Sequence, residues 1–402
     1  MAIVTAGQCP AFLTGALAVQ IRGDLGFSIA ALGLAVGGFF LASAVGSGVL
    51  GHLVERLGWR RGMRIAVAAS TVSLLGIGAA WSWPSLVAFI TLGGMGNAIG
   101  QPAANLSLAT GVPDDRHGLV FGVKQSAIPM ATLIGGLAVP FVALTVGWRW
   151  TYVIMAAAAV AATATIPRSR TAQPRAEHGA DASTEPDART VAEPDGTPNA
   201  ANGTGEGSSP GLTEAIPSLL ALALLSVAGG LGAMVGNALG AFLVSSTVAS
   251  GVGQGTAGLL LAIGSVVGLS MRVLLGWLAD RLSVPPLRLM SGLLVLGGVG
   301  CLLLTGEQLP TVATGTILGF GAGWAWPGLF NLAVVRSHRT VPALATGITQ
   351  TGVYVGAAGG PVLFGAVVER SGFGPAWVLT AILALLAAGL TQVVTAVLRA
   401  DE

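Results

Sequence analysis

Residues 51–61 read Gly51-His52-Leu53-Val54-Glu55-Arg56-Leu57-Gly58-Trp59-Arg60-Arg61. One carboxylate and three arginines in so short a stretch would be ordinary in a soluble domain, where about a quarter of residues are charged. Here they interrupt a chain of 402 residues that is 53% hydrophobic and only 9% charged, with a mean hydropathy of +0.79. Such a chain cannot keep itself dissolved and belongs in a bilayer. The stretch also recurs. A shift of 225 positions brings Gly276-Trp277-Leu278-Ala279-Asp280-Arg281 onto Gly51 to Arg56, matching glycine, leucine and arginine and setting Asp280 opposite Glu55. The same shift, without a gap, superposes Gly94 on Gly319, Gly96 on Gly321, Pro102 on Pro327, Gly122 on Gly347, Gln125 on Gln350, Gly135 on Gly360 and Gly147 on Gly372. The chain is a tandem duplication.

Working outward from the two copies, crossing a hydrocarbon core takes about 20 apolar residues in a helix. Six such spans precede the polar middle of the chain, at residues 2–21, 28–50, 62–82, 85–110, 117–144 and 148–166. Six follow, at 217–245, 255–277, 287–305, 310–335, 342–367 and 373–397. The fold class is therefore all-α integral membrane, with 12 transmembrane helices as two parallel six-helix repeats. Three regions follow: a six-helix bundle over 1–166, a disordered cytoplasmic linker over 167–212, and a second bundle over 213–402. The linker assignment rests on composition, since residues 167–214 hold twelve of the chain's charged side chains among Pro, Gly, Ser and Thr. The first span has no basic leader and no clear cleavage site, so it reads as a transmembrane helix rather than a secretory signal.

The stretch Gly51-x-Leu53-x-Glu55-Arg56-x-Gly58-x-Arg60-Arg61 resembles the signature loop of the major facilitator superfamily, with Glu55 in place of the usual Asp. The copy at Gly276, Asp280 and Arg281 keeps the Asp and lacks the trailing basic pair. This resemblance covers the whole chain and implies a transporter that works by rocking its halves about a central cavity. It also implies that Glu55 and Asp280, with Gly51, Arg56, Arg60, Arg61, Gly276 and Arg281, gate the cytoplasmic side by capping a neighbouring helix. The alternative is a solvated turn whose arginines only set topology. Arg272, two turns before Asp280, belongs either to that gate or to the cavity.

Orientation comes from the positive-inside rule. With the amino terminus inside, sixteen basic residues face the cytoplasm and only Arg22, Arg149 and Arg370 face outward. Both termini are thus expected inside, in a bacterial inner membrane.

Polar groups inside a bilayer are costly and face the bundle interior. In the fourth span Asn97, Gln101 and Asn105 recur every four residues and share one face. The resemblance places this span on the central cavity, and the competing reading is hydrogen-bonded glue between helices. Trp326 lies opposite Gln101 under the same shift, with Trp324 beside it and Asn331 beyond, which gives one amide wall and one aromatic wall. Lys124-Gln125 and Gln350, followed by Tyr354, occupy matching places in the fifth and eleventh spans; Lys124 either snorkels to the cytoplasm or faces an anion. Asn237 and Gln8 are weaker candidates. All 17 acidic residues fall in loops, the linker, the tail or span edges, which disfavours a buried carboxylate as proton relay.

Other chemistry has no apparatus. The sole lysine is followed by glutamine, so there is no Walker A loop, and the four histidines and two cysteines have no metal spacing. No cofactor, metal or nucleic-acid partner is expected, and no enzymatic activity. The expected partners are a small-molecule substrate, tilted towards anionic or neutral organic solutes, and the lipid bilayer, with the chain a monomer. Drug or metabolite efflux is the second reading, although the arginine that precedes the Gly94-Met95-Gly96 position in proton-coupled drug exporters is absent here. A non-transporting receptor or scaffold is the third.

Overall fold

The computed structural model describes residues 1–109, 122–166, 219–281, 285–338 and 342–400. The expected linker lies outside the described residues. Twelve helical rods account for nearly all the rest: α1 (Ala2–Ala16, continuing as Ala18–Leu25), α2 (Ile29–Leu57), α3 (Trp59–Gly78), α4 (Trp83–Ala109), α5 (Gly122–Ala143) and α6 (Trp148–Ala162) in the first half. In the second half they are α7 (Leu219–Ala249), α8 (Gln254–Arg281), α9 (Pro286–Leu303), α10 (Leu309–Ser337), α11 (Pro342–Ser371) and α12 (Phe373–Ala400). Eight are long and apolar enough to cross a membrane by themselves, and the bent α1 makes nine. The other three fall short for visible reasons: α3 opens on Arg60, Arg61 and Arg64, α4 carries the three amides, and α6 is 15 residues long.

The structure refines the reading of three spans. The Gly51–Leu57 stretch is not a loop, since α2 continues to Leu57 and the chain turns only at Gly58, whose φ of +79° suits a residue without a Cβ. Gly276 and Arg281 likewise lie within α8. The first span breaks at Leu17, and its second arm turns through 70°. That arm ends where Asp24 accepts hydrogen bonds from Trp148 Nε1 (2.8 Å) and Arg149 (2.7 Å), while Arg149 also reaches the Ala80 carbonyl. One carboxylate thereby ties α1 to α6, and Arg149 carries the tie to the end of α3.

The halves meet along seams of small residues. In α2 and α11 a Cβ on Gly33 would fall 2.3 Å from the Pro361 carbonyl oxygen, and one on Gly365 would fall 2.9 Å from that of Ile29. The Glu369 carboxylate also accepts from the Ala30 N–H, at the amino end of α2 (3.3 Å). One and two turns past Gly37, Leu41 (57%) and Val45 (69%) are exposed, as is Val355 (66%) on the adjoining stretch of α11. The two helices thus part towards the ends that carry Arg56 and Pro342. The α5–α8 seam, in contrast, is closed along its length: Gly136 against Gly258 and Ala262, Thr132 to Ser265 (2.7 Å between hydroxyls), and Gly122 against Arg272 and Gly276.

Within the second half α7 presents Gly232, Gly236 and Gly240, spaced by four, to the ring edges of Trp326 and Trp324. A methyl on Gly236 would land 2.0 Å from the Trp324 ring, and one on Gly232 would land 2.8 Å from Trp326. Overpacking of this kind costs about 1–3 kcal/mol. Gly236→Ala is therefore expected to lower the melting temperature of the detergent-purified protein, whereas Gly389→Ala, with nothing within 4 Å, is expected to leave it unchanged or raise it.

Candidate functional site

Helix α4 runs unbroken through Asn97, Gln101 and Asn105, whose spacing of four holds the amides on one face; the first two bond to each other and the third to α5. Asn97 is 4% exposed and sits at the centre of a network. Its Oδ1 accepts from Gln8 Nε2 of α1 (3.0 Å) and from Gln101 Nε2 one turn on (3.5 Å), and its Nδ2 donates to Ser43 Oγ of α2 (3.1 Å). Ser43 passes the bond to the Gly94 carbonyl (3.0 Å). The glue and cavity readings of this stripe meet here: Asn97 joins α1, α2 and α4, while Gln101 is only half-buried and Gln8 Oε1 is buried without a partner. Gln8, treated from sequence as a weak candidate, is thus part of the network. Ser43 gave no signal, because a lone serine in a glycine-rich apolar helix is common.

Asn105, more exposed, accepts from Lys124 Nζ of α5 (2.5 Å). In the second half Gln350 Nε2 of α11 donates to Asn331 Oδ1 of α10 (2.8 Å). The two pairs match in sequence separation, 19 residues each, and in the helices they join. They are related by a shift of 226, one place from the gapless shift that pairs Gln125 with Gln350 and holds again at Gly360 and Gly372. A π-helical turn lies in α10 at Gly319–Gly323.

The aromatic wall is packed rather than open. Trp326 (1% exposed) and Trp324 (4%) lie on the α7 glycines, with Phe330 against the first and Phe12 and Phe320 against the second at centroid distances of 5.4–5.6 Å. Trp326 Nε1 is buried without a partner, as is Asn237 Oδ1, whose Nδ2 donates to the Ala233 carbonyl (2.8 Å). Tyr354 is half-buried on α11.

Arg272 is the most constrained ionised group in the fold. It is 4% exposed, nine residues before the end of α8, and hydrogen-bonds only to carbonyls: Trp324 twice (3.1 and 2.7 Å) and Gln125 of the other half. Its guanidinium carbon lies 5.6 Å from the centre of the Trp324 ring. Lys124 near the start of α5 and Arg272 within α8 are charged side chains inside the described spans, and among the described residues neither forms an ion pair with a carboxylate. Of the expected gate, Arg60 and Arg281 stack on their neighbours Trp59 (4.9 Å) and Trp277 (4.3 Å), and Arg56 is exposed. Arg61 is exposed at the start of α3. Gly51, Glu55 and Asp280 lie in described backbone, but their side-chain environment lies outside the described residues.

Twelve helical rods in two homologous sets, nine of them long and apolar enough to cross a membrane, with polar groups along the seams, fit a multi-pass transporter. Comparison with known proteins agrees. The profile of the Major Facilitator Superfamily matches residues 2–205 and 245–401. The chain belongs to that family. Its fold is similar to the crystal structure of a D-xylose-proton symporter, with a TM-score of 0.73, 16% identity, and coverage of 97% of this chain and 94% of that one. A stretch of 138 residues is 30% identical to the tetracenomycin C resistance and export protein of Streptomyces glaucescens. It takes in 33% of this chain and 25% of that relative's length.

Removing the hub of a buried network leaves its partners unpaired, at about 1–3 kcal/mol for each orphaned group. Asn97→Ala is expected to lower thermal stability well below that of Gln101→Ala, which loses one long bond at a half-buried position. Melting curves of the two variants in the same detergent check the ranking.

Proposed function

We propose that this chain carries a small anionic or neutral organic solute across a bacterial inner membrane, with both termini cytoplasmic and the monomer as the working unit. The observation that carries the anionic tilt is Lys124, whose Nζ donates to the neutral Asn105 Oδ1 and, among the described residues, forms no ion pair. An ionised group inside a membrane calls for a compensating charge. A transported anion supplies it. The amide cluster of Asn97, Gln101 and Gln8 offers donors and acceptors to a neutral part of the solute, and Asn237, Trp326 and Tyr354 face the same task from the second half. Gln125, Asn105, Asn331 and Gln350 line the approach from the cytoplasm. Glu55 and Asp280, with Gly51, Gly276 and the arginines around them, close the cytoplasmic side when the cavity faces outward. The two six-helix bundles, 1–166 and 213–402, move as the rocking bodies, with 167–212 as their linker. No catalytic step is proposed.

Export is the second reading, and it is favoured by the matched stretch of a resistance and export protein. Flux in proteoliposomes separates the two. Carboxylate uptake that falls about tenfold in Lys124→Gln, as loss of one ionic hydrogen bond implies, is the expected result. Flux of cationic drugs alone, unchanged by that substitution, would overturn the anionic reading. Raised drug tolerance on overexpression, lost in Gln101→Ala, would establish export.

A further inference from the structure

In a straight helix the Gln125 carbonyl would accept from the N–H four residues on. That residue is Pro129, which has none, so the carbonyl is left free in the wall of α5. The Trp324 carbonyl is free for a different reason. The π-helical turn ends at Trp324 with φ of −120° and ψ of 8°, outside helical geometry, and the next helical segment begins only at Pro327, so the ladder is broken there. Arg272 donates to both carbonyls: two bonds go to Trp324, in its own half, and one crosses to Gln125. The planar guanidinium suits this fork, since its donors point along fixed directions and it stays charged at any physiological pH. Just beyond, a Cβ on Gly122 would lie 3.8 Å from the Gly276 Cα, so the crossing bond sits where the two helices are in close approach.

We propose that Arg272 is a carboxylate-free clamp on the α5–α8 seam, bound permanently to Trp324 and releasing the Gln125 carbonyl when the halves rock. The unequal division of its bonds sets which partner it leaves. Both acceptors are backbone carbonyls, so neither partner that Arg272 grips titrates. Pro129 is then a positioning residue for Arg272, acting through the carbonyl that it leaves unpaired. The clamp rests on the reading that the halves move against each other, and a test that reads the seam rather than flux keeps the two apart.

Gly122→Cys and Gly276→Cys in a chain with Cys9→Ala and Cys301→Ala provide that test, with a protease site inserted in residues 167–216 so that only a disulfide holds the cleaved halves together. In membranes, oxidative cross-linking is expected to be fast with Arg272 present and to slow about tenfold in Arg272→Met, the effect of losing one hydrogen bond to a charged group. Pro129→Ala restores a competing N–H to the Gln125 carbonyl and is expected to slow cross-linking two- to threefold with Arg272 untouched. In the Arg272→Met background Pro129→Ala is expected to add nothing. Cross-linking at the parental rate in folded Arg272→Met and Pro129→Ala proteins would overturn the clamp, as would an additive double variant. Should Arg272→Met fail to fold, Pro129→Ala decides alone: slower cross-linking supports the clamp and an unchanged rate overturns it.

Discussion

Lipid tails are as apolar as leucine, so helices in a bilayer gain little by hiding apolar side chains against one another and must associate through close backbone contact. That constraint governs this protein. Along each seam the residue at the crossing is glycine, and a methyl there would meet a neighbour's backbone: Gly15 at Ala241, Gly33 at Pro361, Gly136 at Ala262, Gly356 at Gly230. With 61 glycines the chain can bring backbones together at every seam. What remains to be explained is how helices packed so closely also hold polar groups and move.

The polar groups answer the first question. In α10 the non-helical turn at Trp324 leaves a carbonyl outside the helical ladder, and in α5 Pro129 removes the donor that the Gln125 carbonyl would have. In water such carbonyls would be solvated, but in a membrane each needs a partner within the protein. Arg272 supplies it. A charge that would be costly in hydrocarbon is stabilised by two defects that would each be costly alone. The opposite end of the bundle uses different means: Asp24 gathers Trp148 and Arg149, and Glu369 reaches the amino end of α2, where the helix dipole favours an acid.

Much of this was legible in the sequence. The duplication, the helix count and the family could be read from the spacing of Gly51, Glu55 and Arg56 against Gly276, Asp280 and Arg281, because a signature fixed at one helix end survives drift elsewhere. The stripe at Asn97, Gln101 and Asn105 was visible as a period of four. Three things were hidden. The bend at Leu17 falls two residues past Gly15, and in a chain so rich in glycine one more does not announce a break. Ser43 joins the Asn97 network only because α2 passes that point. The acceptors of Arg272 are backbone atoms, and a carbonyl freed by proline four residues later shows only when proline is read as a donor removed rather than as a kink.

The amide pairs have a consequence for symmetry. Each joins the fourth and fifth helices of its half across 19 residues, yet one donor is an ammonium and the other a neutral amide. The duplication has thus kept a bond while its charge was lost or gained in one copy, and two walls that share a geometry no longer share an electrostatic field.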